Sequence, residues 1–285
     1  MTIANLDKII RQTETVWLAP LMIECTRQFS ETHLPSHDQL HHARVWKYAK
    51  NLILQSSKQG MAISEKDITQ LIIAVFFHDQ GMSETTSKEH GKISRKMCKI
   101  FIQKCNITPP DFFEKVLDAI ENHDKKEYKK TAASPNEFEI QKFLNTADDL
   151  DAFGIIGAYR YLEIYLMRHL NVKLLPEEVL TNMEDRYKHF TDNFGHCIPL
   201  VNAHFQRYLT SKNYFKDLNF QIGKFGYSQE SFLGPIGVVN YLKNEVLEKK
   251  RSLSSVFIKA SSAESDFYCL HFFDRLQKEI EHSTT

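Results

Sequence analysis

The sequence predicts an all-α fold, and three observations carry that expectation. Apolar residues recur at helical spacing along most of the 285 residues, strand-like alternation is short, and glycine and proline number only 10 and 8. With 42% hydrophobic residues, a chain of this length can bury a substantial core, either as one large domain or as two ordinary ones.

The elements follow in order. From about His37 a helix sets His41, Val45, Tyr48 and Leu52 along one stripe. The stretch "SEKDITQLIIAVFFHDQG" opens with Ser64 and Asp67 at capping-box spacing, is apolar on all sides, and is expected to stop at Gly81 as a C-terminal cap. Such a helix is central and buried. From about Ser87, His90, Ile93, Met97 and Phe101 share one helical face, and Lys88, Lys92, Arg95 and Lys99 share another that is expected to be solvated. "TPPDFFEKVLDAIENHD" begins with prolines suited to a helix entrance and aligns Val116, Ile120 and His123. One long helical pattern is expected from about Glu137 to Leu170. Helices are expected from about Pro176 and again through His204, followed by a glycine- and aromatic-rich loop from Tyr214 to Val239. Two last helices are expected near Val239–Lys250 and Glu264–His282. The natural division is residues 1–174 as one helical domain and 175–285 as a helical extension packed on it or standing apart.

Lys plus Arg and Asp plus Glu both total 36, so no global field argues for nucleic acid or an anionic membrane as the main partner. The N-terminal stretch mixes charges into its apolar residues and lacks a signal-peptide core, and no segment reaches the length of a membrane span; a cytoplasmic protein is expected. Five scattered cysteines, Cys25, Cys98, Cys105, Cys197 and Cys269, form no CxxC pair and read as reduced thiols.

The chemistry concentrates where polar residues interrupt apolar faces. "LIIAVFFHDQG" runs seven apolar residues straight into His78 and Asp79, and an unpaired carboxylate in such surroundings costs several kcal/mol. His41, His90, His123 and Asp148 interrupt other apolar faces in the same way. Neutral imidazoles with ionised carboxylates suit a divalent cation, which would make a buried Asp79 tolerable. The alternative is a set of hydrogen-bonded polar groups in the core.

Three segments, "SHDQLHHARVWKYA", "FFHDQG" and "TADDLDAFGIIGAYR", together resemble the HD-domain metal-dependent phosphohydrolases, whose signature is a histidine, a later His-Asp doublet and a still later aspartate. In flanking detail they are nearest to bacterial HD proteins of the nucleotide pyrophosphohydrolase type, and the likeness spans roughly Gln28 to Arg160. The resemblance implies an HD helical bundle with additional C-terminal helices. It implies a metal set of His41, His78, Asp79 and Asp148 around one divalent ion (Mn, Ni, Fe, Zn or Mg), with a second ion left open. It also implies hydrolysis of a phosphoester or phosphoanhydride in a small phosphorylated partner of nucleotide type, with Asp79 orienting a water. For His90 and His123 three roles stand side by side: ligands of a second metal, groups facing a substrate phosphate, or plain core histidines. Arg44 is either a phosphate contact or a structural partner of the carboxylates.

Other residues near these motifs carry weaker expectations. His37 and Asp38 belong at the helix entrance, either as capping groups or as groups that hydrogen-bond the ligands from behind; Asp151 is placed to orient a ligand, and Asp149 is expected to face solvent. Lys125 and Lys126 are either a polyphosphate contact or solvated lysines. Glu84 and Glu89 are proton-transfer candidates without a motif, and the Tyr214–Val239 segment is a surface loop or a lid. Two competing functions remain: an HD-fold di-iron oxygenase, which requires both His90 and His123 as ligands, and a non-catalytic protein that senses a nucleotide or docks a partner.

Overall fold

The computed structural model describes residues 3–105, 112–125, 137–260 and 266–284, and among these every regular element is helical. They fall into two compact units, Met1–Leu150 with His189–Val201, and Asp151–Lys188 with Asn202–Thr285. No helix among the described residues is long and apolar enough to cross a membrane.

The first unit is built around α3 (Glu65–Phe77). Ser64 and Asp67 close the expected capping box: the Asp67 amide donates to Ser64 Oγ at 3.3 Å and the Ser64 amide to Asp67 Oδ2 at 2.9 Å. Leu71 through Phe77 are wholly buried, and each large side chain among them contributes about 1.5–3 kcal/mol of burial free energy. α1 (Ile3–Phe29) and α2 (Gln39–Lys58) pack on α3 and on each other, and α4 (His90–Lys104) and α5 (Phe113–Asn122) likewise pack on α3 and on each other. Asp38 caps α2 by accepting from the amides of Leu40 and His41 at 2.9 and 3.4 Å. α6 (Ile140–Asp151) carries the aspartate-rich motif.

Gly81 does not end α3 as a left-handed cap. The helix stops at Phe77, and Gln80–Ser83 continue as a short 3₁₀ turn. Gly81 is needed because any Cβ there would collide with the His90 carbonyl, and its amide donates to Ser94 Oγ at 2.8 Å. The turn after the His-Asp doublet is thereby pressed against the start of α4.

The second unit holds α7 (Gly154–Met167), most of α8 (Leu175–Phe194) and of α9 (Ile198–Phe225), α10 (Gly234–Tyr241), a π-helical turn Leu242–Glu248, α11 (Leu253–Ala260) and α12 (Phe267–Thr284). The single helix expected over Glu137–Leu170 is broken: Gly154 takes φ +89, and α7 restarts with its Ile155 and Ile156 amides donating to the Glu279 carboxylate of α12. The loop expected over Tyr214–Val239 is mostly helix. Tyr214, Phe215, Leu218 and Ile222 are buried at helical spacing, so two of the aromatic residues that read as loop are core contacts of α9, while Phe220 and Phe225 on the same helix are exposed. Only the residues between α9 and α10 remain non-helical.

Candidate metal centre

The four histidines and two aspartates singled out in the sequence converge inside the first unit. Two donor groups result: His41, His78, Asp79 and Asp148, and Asp79, His90 and His123. Within each group the donor atoms lie within 4.8 Å of one another. Asp79 belongs to both. Its Oδ2 is 3.5 Å from His41 Nε2 and 3.4 Å from His78 Nε2, while its Oδ1 is 3.3 Å from His90 Nε2 and 2.9 Å from His123 Nε2. Asp148 Oδ1 stands 3.8 Å from the Nε2 atoms of both His41 and His78.

The way the chain aims three of these rings is the same each time. His78 follows the last residue of α3, His123 follows the last residue of α5, and His90 opens α4. At each place the ring Nδ1 donates to the carbonyl three residues earlier: Val75 at 2.8 Å, Ile120 at 2.7 Å and Ser87 at 2.7 Å. A neutral imidazole so bonded has its proton on Nδ1 and presents the Nε2 lone pair to the centre.

That arrangement tests whether a cation fits. His41 and His78 bring their Nε2 atoms to 3.3 Å, and His90 and His123 bring theirs to 3.2 Å. Two lone pairs so placed repel unless a proton or a metal ion lies between them. Donors about 2.1 Å from a common ion stand about 3.0 Å apart at octahedral and about 3.4 Å apart at tetrahedral angles. The 2.9–3.5 Å separations among His41, His78, Asp79, His90 and His123 match this, and Asp148 at 3.8 Å lies slightly outside it. The imidazole and carboxylate set also matches the chemistry of a divalent transition ion. The residues therefore fit a metal.

The electrostatics point the same way. Burial alone would lower the His78 pKa, but the Asp79 and Asp148 carboxylates overcome it and push it up to about 10. Burial would raise Asp79, yet His78, His123 and His41 hold it well below the usual carboxylate range. His90 is raised too, burial being outweighed by Asp79. A cluster that draws protons this strongly is one in which a cation can replace them. His42, just behind, is kept neutral by burial and by His41 and His78, and its Nδ1 donates to the Asp38 carbonyl at 2.9 Å.

The remaining residues take distinct places. His37 lies against the His41 ring, with centroids 5.2 Å apart, and is hydrogen-bonded to Ser36 Oγ. Arg44 is buried, and its charge opposes the rise that burial imposes on the Asp38 carboxyl. Asp151 accepts from Arg160 Nη1 at 3.0 Å, a buried pair within one motif. Glu84, Glu89 and Lys125 are exposed and belong to neither donor group; Glu89 pairs with Lys92. Lys126 lies outside the described residues.

Asp149 does not face solvent. It is buried and accepts from His189 Nδ1 at 2.9 Å, because residues 189–201 return to the first unit and cover that face of α6. His189 was not legible as a site residue, since it lies beyond the recognised motifs on an ordinary amphipathic helix. Asn145 was missed too. With its amide oxygen and nitrogen exchanged, the orientation that satisfies both atoms, its nitrogen donates to His123 O and Gln141 O at 3.2 Å each.

The helical fold and the buried His/Asp cluster define an HD-type domain with the makings of a divalent metal centre. The HD-CE family model matches residues 22–193, more than half of the chain, and the chain belongs to that family. No curated protein and no solved structure matches it.

Proposed function

We propose that this protein is a metal-dependent phosphohydrolase that uses two divalent cations, one per donor group, to cleave a phosphoester or phosphoanhydride bond. The observation that carries the reading is Asp79, one carboxylate offering one oxygen to each histidine pair. Four neutral imidazoles and two carboxylates contribute two negative charges. Two divalent cations would leave the centre positive and suited to a phosphate anion. Divalent cations bound there supply Lewis acidity and lower the pKa of coordinated water.

The chain's own residues do the rest. The carbonyls of Val75, Ser87 and Ile120 lock three rings in place, so little reorganisation is needed at the moment of reaction. Asp148 is the most accessible member of its group, with 13% of its side chain exposed against 0–6% for His41, His78 and Asp79, which favours entry of substrate on its side. The likeness of the motif flanks to nucleotide pyrophosphohydrolase-type HD proteins supports a nucleotide or similar small phosphorylated molecule as substrate.

The test is phosphate and pyrophosphate release from a panel of nucleotides and simple phosphoesters with Mn, Ni or Mg, comparing wild type with Asp79→Ala. Activity and bound metal are expected to disappear together while the helical circular dichroism persists. An active Asp79→Ala protein with unchanged metal content would refute the assignment.

The second donor group also favours one alternative, an iron-dependent oxygenase, since that chemistry needs both His90 and His123 as ligands and both reach Asp79. Two irons per chain with an oxygen-dependent spectrum, and no turnover on the phosphate panel, would select it.

A further inference from the structure

We propose that His189 and Asn145 are positioning residues, each serving a different one of the two donor groups; the inference rests on the metal reading above. Both act through α6. Asn145, Asp148 and Asp149 lie within little more than one turn of that helix. Asp148 supplies the last donor of the first group, and its neighbour Asp149 is held by His189 at 2.9 Å.

Adjacent residues on a helix point about 100° apart, so a bond that fixes Asp149 also fixes the rotation of α6 about its axis, and with it the direction of Asp148. The leverage is large. A rotation of about 10° swings a carboxylate about 6 Å from the axis through about 1 Å, twice the tolerance of a metal site. Asn145 works at the other end. Its amide holds the backbone carbonyl of His123, whose ring nitrogen faces Asp79 and His90 in the second group. Neither His189 nor Asn145 belongs to a donor group.

The consequence is a double dissociation. Metal-free full-length protein is titrated with Mn²⁺ by calorimetry, and the two binding steps are assigned with His41→Ala and His123→Ala. His189→Ala is expected to weaken by about 10- to 100-fold the step that His41→Ala abolishes and to leave the other unmoved; Asn145→Ala is expected to do the reverse. His189→Asn, whose amide nitrogen can take the place of Nδ1, is expected to restore the first step, and Asn145→Ser, which keeps a donor, to restore the second in part. Unfolding of each metal-free variant shows whether it is folded. Two wild-type steps that are unshifted in the variants, or weakened equally by both, overturn the positioning proposal alone. A wild-type protein that binds no cation overturns the metal reading, and this inference with it.

Discussion

Replacing Gly91 with alanine would drive a wedge between α4 and α5 where the second donor group is formed. A Cβ at Gly91 would lie 2.5 Å from the Glu121 carbonyl oxygen, a backbone atom that no rotamer change can move, whereas ordinary contact begins at 3.4 Å. The helices must therefore part by about 0.9 Å in a closely packed interior. Gly91 adjoins His90, and Glu121 is two residues before His123, so the Nε2 separation of 3.2 Å is expected to open to about 4 Å. Two energies compete. Alanine is better than glycine in a helix by about 1 kcal/mol, while overpacking costs about 1–3 kcal/mol. Net destabilisation should thus be at most about 2 kcal/mol, too little to unfold the domain, while the second donor group loses its geometry. Urea unfolding and a metal titration check the two parts. A Gly91→Ala protein that is more stable than wild type and binds metal as wild type does would refute the claim that this close approach sets the second group.

Two further outcomes are expected. Arg44→Ala should cost about 1–3 kcal/mol in urea unfolding because it removes the charge that opposes the desolvation of Asp38, and any added rise in KM would mark contact with substrate; no change in either would place Arg44 outside both fold and site. His204 has its pKa lowered to about 3 by burial and by neighbouring Arg207, so the unfolded chain takes up its proton first and stability falls as pH drops from about 6.5 toward 3. The His204 share of the loss between pH 7.5 and pH 5 should be about 2 kcal/mol, read as the difference between wild type and His204→Leu in how far the urea midpoint falls; an equal pH dependence in that variant would sink the assignment.

Much of this was written in the chain itself. The 3.6-residue pattern set the helical class, because an apolar stripe must be buried whatever it packs against. The His-Asp doublet at the end of Leu71–Phe77 announced a buried charge that needs a partner. Local chemistry was legible in the same way: Ser64 and Asp67 close their capping box, and Asp38 caps α2.

What only the tertiary structure decided depends on distant segments meeting. That His90 and His123 share Asp79 with the first group follows from Gly81 and Gly91 letting two backbones approach, which no spacing along the sequence reveals. Asp149 looked solvent-facing because the residues that cover it, around His189, come forty positions later. The break at Gly154 and the helical course of Tyr214–Phe225 were hidden for the same reason: a cap from Glu279 and the burial of aromatic rings are supplied by the fold. Sequence determines which faces must be buried and which side chains can bind, since periodicity and functional groups are local properties. Which faces and groups come together is settled by packing.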